Sequence, residues 1–278
     1  MGLYAPVAPV QILREMLAVD PHFFGHYHLL LAHETVKKPG EFYSVFSDAV
    51  FGTGLPRGVV IMDNSVVETG EAVDLGMVRE AANIIQAATG RHDWTVLPCL
   101  PDVMGDGPAT RTAIAEAYPE WDKEMTSKEF MAIAQGDDLQ DFFQTVNFLF
   151  LDEPNRFPKI RWLGIPRILT KQVGSRKAAI DYVSMVAPQI RIHLFGFSDN
   201  MVDDFQCARD PRVVGIDSAV PIRVRQPLLP TTYVPARDPE WFDKGSVFPY
   251  LPILEDNLRN VREWVGGTGF YSKAAGSY

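Results

Sequence analysis

The stretch "RVVGIDSAVPI" at residues 212–222 decides the fold prediction, because its apolar run ends abruptly on a carboxylate. The run is interrupted only by Gly215, and Asp217 follows it directly. A short apolar run bounded by turn residues is typical of a buried strand. We therefore predict a buried strand that carries Asp217 at its carboxyl end.

Further apolar runs have the same form, since each is followed by a polar or glycine-bearing turn and then by a helix-compatible stretch. These runs cover residues 26–34, 58–65, 94–103, 130–136, 160–168 and 190–197. Helices are predicted at 74–90, 106–118, 137–150 and 174–188. Alternating strands and helices favour a parallel sheet that is buried on both faces.

The strand count favours an α/β fold of the closed (β/α)8 TIM-barrel type, in one domain over residues 1–278. Seven strands are predicted, and an eighth has no clear candidate. No nucleotide-binding glycine fingerprint follows the first strand, which weighs against a doubly wound sheet. The barrel core is expected at about 25–225, followed by an irregular C-terminal extension (226–278) with a helix at 252–265.

Composition narrows the class of protein. The chain has 278 residues, of which 46% are hydrophobic and 22% are charged, so a globular protein is expected rather than a disordered one. No apolar stretch reaches the length of a membrane span, and the start does not resemble a secretory signal. With only two cysteines, Cys99 and Cys207, a disulfide framework is not expected and a cytoplasmic setting is favoured.

The net charge of −9 argues against a surface coated with basic residues for nonspecific nucleic-acid binding. One window is locally basic, and it is either a solvated face or an edge that contacts phosphates. Its basic residues are Arg156, Lys159, Arg161, Arg167, Lys171, Arg176 and Lys177.

Polar residues fall at the carboxyl ends of the predicted strands, which is where barrel enzymes carry their active sites. Asp63 ends the second strand, Asp102 follows the third, Gln135 ends the fourth and Asp217 ends the seventh. A single aspartate there is explained by turns and helix caps. Three aspartates at one face indicate a site that could bind a divalent metal, perform glycosidic chemistry or read donors on a ligand.

Six short motifs follow these strands in order along the chain: "DNS" (63–65), "LPD" (100–102), "AQG" (134–136), "WLGIP" (162–166), "LFG" (194–196) and "DSAVPIR" (217–223). The series resembles the tRNA-guanine transglycosylase superfamily over roughly residues 25–225. Its short length and the run "PDVMGD" (101–106) resemble the phage-encoded branch, the 7-deazaguanine DNA transglycosylases. The resemblance implies a pentosyltransferase that replaces guanine in DNA with a 7-deazaguanine base such as preQ0.

The resemblance implies two catalytic residues. Asp217 matches the aspartate that attacks the sugar C1′ and holds a covalent glycosyl intermediate. Asp63 matches the general acid/base that manages protons on the departing and incoming bases. Two displacements at C1′ would retain configuration, as in a retaining glycosidase. A base inside a duplex would have to be flipped out or presented as a single strand.

The same resemblance implies a base-binding set. Asp102 matches the carboxylate that recognises the amino group and ring N–H of the base, and Gln135 matches the amide at its carbonyl. Gly164 is implied as a backbone donor, and Phe195 as the apolar residue against the flat base. Asn64 stands beside the acid/base and is predicted to belong to this set.

Departures from the family favour DNA over tRNA as the partner. The C-x-C-x-x-C zinc run of the tRNA enzymes has no counterpart here, so no metal or other cofactor is expected. Val66 and Val67 stand where the family has an aromatic residue after the first catalytic aspartate. Arg223 and Arg225, just past Asp217, are candidate phosphate contacts, or else form structural ion pairs. A phage-encoded chain would act in the host cytoplasm, and the sequence leaves its oligomeric state open.

Other functions stay open at this point. They are a related enzyme that acts on RNA, a 7-deazaguanine-binding protein without exchange activity, and a metal-dependent barrel hydrolase that uses the three aspartates as ligands. The histidines of "HYHLLLAHE" (26–34) are interpreted as structural rather than metal-binding. His193 is predicted to face the pocket or the layer beneath it.

Overall fold

Eight parallel β-strands alternate with helices along the part of the chain that the structure describes. The computed structural model describes residues 2–55, 57–90, 93–153, 155–229, 241–243 and 251–266. The strands are β1 Leu3–Pro6, β2 Tyr27–Leu31, β3 Arg57–Asp63, β4 Asp93–Pro98, β5 Phe130–Ile133, β6 Ile160–Pro166, β7 Arg191–Phe195 and β8 Val213–Ser218. All seven predicted strands are therefore confirmed, although the third ends at Pro98 and not at residue 103.

The helices fill the connections between the strands. They are α1 Val10–Val19, α2 Pro21–Phe24, α3 Ala32–Lys37, α4 Pro39–Ser47, α5 Val66–Thr69, α6 Leu75–Thr89, α7 Gly107–Glu124, α8 Leu139–Phe150, α9 Ile168–Val173, α10 Lys177–Val186, α11 Met201–Ala208, α12 Val220–Arg223 and α13 Leu251–Gly266. A π-helical turn spans Asp48–Gly52 and a 3₁₀ turn spans Trp241–Asp243. No helix in the described ranges combines the length and the apolar character needed to cross a membrane.

Aspartate caps start three of the predicted helices. Asp74, Asp106 and Asp138 each accept a hydrogen bond from a backbone N–H of the first helical turn, at 2.8 Å in every case. Such caps satisfy amide groups that have no partner within the helix. They explain why α6, α7 and α8 begin where the sequence pattern predicts.

The strands form two parallel sheets, ordered β1-β8-β7-β6-β5 and β2-β3-β4. The sheets approach each other at both ends. A parallel bridge joins Cys99, just past β4, to Met131 of β5, and the N–H of Leu100 donates to the carbonyl of Met131 at 2.8 Å. At the other end, β1 lies against β2.

The eighth strand is β1, at Leu3–Pro6, which lies outside the core range of 25–225 expected from the sequence. It pairs in parallel with β8, so that Ala5 stands opposite Asp217. A strand of four residues that ends on Pro6 gives too short a pattern to be recognised. The extension beyond residue 225 contains α13 as predicted, whereas most of its remaining residues lie outside the described ranges.

The buried apolar residues form two clusters. The larger lies between the strands and the helices. The smaller receives at least one residue from each of the eight strands, including Ala5, Leu29, Ile61, Leu97, Met131, Trp162, Phe195 and Val214. Alternate residues of β3 and β5 belong to different clusters, as the two-residue period of a strand requires.

Candidate functional site

The candidate residues continue the positions that face the smaller apolar cluster. Along β3, Val59 and Ile61 belong to that cluster and Asp63 is two residues further on. Along β5, Met131 and Ile133 belong to it, and Gln135 follows at the same spacing. The strands therefore turn from apolar to polar at their carboxyl ends on this one face.

A buried hydrogen-bonded group surrounds Asp102. Its Oδ1 accepts from the side-chain amide of Asn64 and its Oδ2 accepts from that of Gln135, both at 2.6 Å. The Asn64 amide also donates to the carbonyl of Leu100 at 2.8 Å, and the Gln135 carbonyl oxygen accepts from the N–H of Gly105 at 3.1 Å. The structure thus brings together three residues that the sequence assigned to one base site.

The environment of Asp102 raises the pKa of its carboxyl group. Burial raises this pKa to about 6, against the opposing effect of the hydrogen bonds from Asn64 and Gln135. The group is only 2% exposed. Such a carboxylate can accept from donors on a ligand, but it gains a proton in mildly acidic solution.

Asp63 lies at the end of β3 in a turn that the next residues fix. Ser65 has a left-handed backbone with φ of 66°, and its N–H donates to Oδ2 of Asp63 at 3.2 Å. Burial raises the pKa of Asp63 well above its ordinary range, and the negative charges of Glu68, Asp102 and Asp217 raise it further. The site therefore favours the protonated form of Asp63, which suits a proton donor.

Asp217 lies at the end of β8 with two hydrogen-bond partners on one carboxylate oxygen. Its Oδ1 accepts from the backbone N–H of Gly196 at 3.0 Å and lies 3.1 Å from Nε2 of His193. Gly196 has a φ of 68°, a left-handed conformation that glycine adopts without strain. The N–H of Gly196 donates to this oxygen, and Nε2 of His193 can do so when it carries a proton.

Tyr27 is a member of this group that the sequence reading missed. Its hydroxyl lies 2.7 Å from Nδ1 of His193, and both side chains are buried. The only signal in the sequence was the alternation of β2, which puts Tyr27, Leu29 and Leu31 on the face that bears the smaller apolar cluster. His193, which was predicted to face the pocket or the layer beneath it, is fully buried and contacts both Tyr27 and Asp217.

Phe195 and Gly164 lie against each other on neighbouring strands β7 and β6. A Cβ atom added to Gly164 would stand 2.3 Å from Cε2 of Phe195, so the bare backbone is what admits the ring. The carbonyl of Phe195 accepts from Arg176 at 3.1 Å, and Arg176 is paired with Asp204 at 2.5 Å in a fully buried ion pair. The buried pair of Arg176 and Asp204 therefore supports the end of β7 through the Phe195 carbonyl.

The predicted phosphate contacts lie just beyond β8. Arg223 ends α12 and is half-buried, whereas Arg225 is exposed. Their contact with phosphate stays a prediction.

The histidines near the chain start lie in mixed surroundings. His28 packs between aromatic rings, with ring centroids 4.3 Å from Phe24 and 5.2 Å from Phe46, and burial lowers its pKa to about 3. The apolar run predicted as a strand over residues 26–34 ends as a strand at Leu31. His33 and Glu34 lie in α3, and their side chains approach to 3.6 Å.

Side chains of the types that bind metal ions, and the two cysteines, lie in the described ranges of the chain. No set of three or more His, Cys, Asp or Glu side chains there is arranged to hold a metal ion. Cys99 is buried beside the site, where burial and the charges of Asp63, Asp102 and Asp217 raise its pKa well above the ordinary thiol range. It is therefore a poor nucleophile. Cys207 lies in α11.

Comparison of the chain with protein-family models gave no matching family, and comparison with curated proteins gave no matching protein.

Proposed function

We propose that this protein is a DNA guanine transglycosylase that exchanges guanine for a 7-deazaguanine base through a covalent aspartyl-glycosyl intermediate. The observation that carries the proposal is the contrast between two buried carboxylates that act on each other electrostatically. Asp217 accepts from N–H groups, whereas Asp63 is held in surroundings that favour its protonated form. Such a pair divides naturally into a nucleophile and an acid.

In the first step, Asp217 attacks C1′ of the target nucleotide while the bond from C1′ to guanine breaks. Asp63 gives its proton to the departing base, so that guanine leaves as a neutral molecule. In the second step, the incoming base attacks C1′, the ester bond to Asp217 breaks and Asp63 takes the proton that this base loses. Two inversions retain the configuration of the sugar.

The base-binding role is supported by the group around Asp102. An ionised Asp102 accepts hydrogen bonds only, which suits the amino and ring N–H groups of a guanine-like base. Its present partners, the amides of Asn64 and Gln135, hold it in place. Phe195 supplies an apolar ring beside Gly164, in keeping with a flat ligand.

We infer that the eight strands close into a (β/α)8 barrel with this site at its carboxyl-terminal mouth. The inference is supported by the bridge between Cys99 and Met131, by the contact of β1 with β2, and by the apolar cluster to which all eight strands contribute. A barrel would enclose the intermediate and keep water from hydrolysing it.

The exchange assay tests the proposal directly. Protein, guanine-containing DNA and labelled 7-cyano-7-deazaguanine are incubated, and the DNA is digested to nucleosides. We expect label in the DNA with the wild type and none with Asp217→Asn. The matched control is Asp152→Asn, since Asp152 is an exposed carboxylate in the connection between α8 and β6, at the opposite ends of the strands. No label with the wild type would refute the proposal.

Two further arms separate the alternatives. Labelling of tRNA instead of DNA would indicate an RNA enzyme on the same site. Calorimetric binding of the base, without label in either nucleic acid and without a covalent protein–DNA adduct on a denaturing gel, would indicate a binding protein.

A further inference from the structure

A buried chain of hydrogen bonds runs from β2 across β7 to β8. The Tyr27 hydroxyl lies 2.7 Å from Nδ1 of His193, and Nε2 of the same ring lies 3.1 Å from Oδ1 of Asp217. Tyr27 is 2% exposed, His193 is 0% exposed and Asp217 is 7% exposed. None of the three is adjacent in sequence to another, so the fold itself brings them into line.

The direction of the protons follows from the chemistry of the three groups. Burial raises the pKa of Tyr27 well above its ordinary value, and the charges of Asp217 and Cys99 raise it further, so the phenol keeps its proton and donates to Nδ1. A neutral imidazole that accepts at Nδ1 carries its proton on Nε2. That proton points at Oδ1 of Asp217, and a carboxylate oxygen is an acceptor.

Resting on the proposed function, we propose that Tyr27 and His193 form a positioning pair for the nucleophile Asp217. The Tyr27 hydroxyl donates to Nδ1 of His193, and the Nε2–H of His193 donates to Oδ1 of Asp217. The N–H of Gly196 meets the same oxygen at 3.0 Å. Two donors on Oδ1 lock the rotation of the carboxylate, and Oδ2 is then the oxygen that attacks C1′. Because the hydrogen bonds of this pair lead to Oδ1 of Asp217, both residues would act through that carboxylate.

The strand packing agrees with a dedicated place for the tyrosine ring. A Cβ atom on Gly215 would lie 2.6 Å from Cε1 of Tyr27 and 2.6 Å from the carbonyl oxygen of Leu3. Gly215, the interruption in the apolar run of β8, therefore leaves room for the ring that orients His193. The two rings meet edge to face, with centroids 5.6 Å apart.

The pair would assist both displacements. In the first, it holds the attacking oxygen on the line to C1′, which is the kind of orientation that accelerates reactions between bound groups. In the second, Asp217 leaves as a carboxylate, and the donors on Oδ1 stabilise the negative charge that develops there. Without them the ester should break more slowly, so the covalent adduct should accumulate.

Three variants test the pair. His193→Leu removes the donor and keeps an apolar side chain, His193→Gln offers an amide N–H at the same number of bonds from Cβ, and Tyr27→Phe removes only the hydroxyl. His28→Leu is the matched control, because it replaces the buried histidine next to Tyr27, which packs against aromatic rings away from Asp217. Circular dichroism spectra and unfolding midpoints show whether each variant folds.

We expect His193→Leu to lower kcat for exchange by about 10- to 100-fold, the worth of one hydrogen bond to a charged group. The KM for 7-cyano-7-deazaguanine should change by less than about threefold, and a larger share of the DNA, followed by a separate end label, should be trapped as covalent adduct. We expect His193→Gln to recover most of the rate, Tyr27→Phe to lose about 3- to 10-fold, and His28→Leu to retain the wild-type kcat.

The tautomer of His193 gives a readout that does not need activity. In ¹⁵N-labelled wild-type protein, we expect a neutral ring with its proton on Nε2, and Tyr27→Phe should weaken this preference. A proton on Nδ1, or a His193→Leu variant that folds and exchanges at the wild-type rate, would overturn the positioning role while wild-type exchange keeps the proposed function. Absence of exchange in the wild type would overturn both.

Discussion

Two aspartates of identical chemistry have different surroundings. Asp217 accepts from the N–H of Gly196 and lies 3.1 Å from Nε2 of His193, whereas Asp63 is buried close to other carboxylates and has a raised pKa. In a site of low polarity, the charged form of a group survives only where donors compensate it. The proposed division into nucleophile and acid therefore rests on the different neighbours of the two residues.

Replacement of Asp63 by asparagine should separate stability from activity. We expect exchange to fall by about 10²- to 10⁴-fold, the usual contribution of a general acid/base. The raised pKa of Asp63 means that its contribution to folding stability is fully present below the ordinary carboxyl pKa and is lost as the pH rises through the raised value. An asparagine side chain resembles the protonated acid, so Asp63→Asn should unfold at a higher temperature than wild type at pH 8.

Thermal unfolding measured between pH 4 and pH 8 checks this prediction. The advantage of the variant should shrink towards pH 4, where wild-type Asp63 is protonated in the folded state and increasingly so in the unfolded state. A variant less stable than wild type at pH 8 would show that Asp63 is not held in surroundings that disfavour its charge.

The raised pKa of Asp102 leads us to expect a pH-dependent affinity for the free base. Its pKa of about 6 means that a proton competes with the ligand in mildly acidic solution. Calorimetry with 7-cyano-7-deazaguanine should show affinity that is constant above about pH 7 and weakens towards tenfold per pH unit well below 6. Asp102→Asn should bind weakly at every pH. Equal affinity of the wild type at pH 5 and pH 8 would show that the carboxylate of Asp102 does not bind the base.

Much of this site was predictable from the sequence, because it follows the strand ends. Asp63, Gln135 and Asp217 stand where apolar runs stop, and the period of a strand puts them on one face. Tyr27 was not predictable in this way. It begins its strand, and its contact with His193 spans 166 residues, so only the tertiary fold brings it to the site.

At the scale of elements, a glycine in one strand leaves room for an aromatic ring that another strand carries. Gly164 of β6 has a buried backbone against which Phe195 of β7 lies. Gly215 of β8 does the same for Tyr27 of β2. Glycine in a strand weakens it through chain entropy, and the close approach of a side chain is the usual reason for its presence.

Gly164→Ala should therefore displace Phe195 and leave the strand in place. The new Cβ would meet the ring at 2.3 Å and Ile133 at 3.3 Å, and forcing extra atoms into a packed region costs about 1–3 kcal/mol of unfolding free energy. We expect a higher KM for the base, because the displaced Phe195 would pack less well against it. Urea unfolding of Gly164→Ala, Phe195→Leu and the double variant forms a cycle in which the second substitution recovers part of the loss. Additive losses would mean that the two residues do not compete for space.

At the scale of the whole molecule, the seven predicted strands were visible because each is an apolar run closed by a turn. β1 could not be recognised from the sequence, since its four residues form a strand by pairing with β8, more than 200 residues away. That pairing supports the strand that carries Asp217. Local pattern therefore predicts most strands of a parallel sheet, whereas the contact between its first and last strands is a property of the complete chain.

The net charge of −9 leads to a last prediction, because such a molecule should bind DNA only through a small basic area. Each phosphate contact contributes about −0.9 for duplex DNA, or about −0.7 for a single strand, to the slope of log affinity against log salt. If exposed Arg225 contacts a phosphate, Arg225→Gln should weaken binding and flatten this slope by nearly one unit in fluorescence anisotropy titrations. Lys123→Gln is the control of equal charge, since Lys123 is 81% exposed near the end of α7, which leads to the amino end of β5. An equal change of slope in both variants would indicate a general charge effect, and the predicted contact at Arg225 would then be wrong.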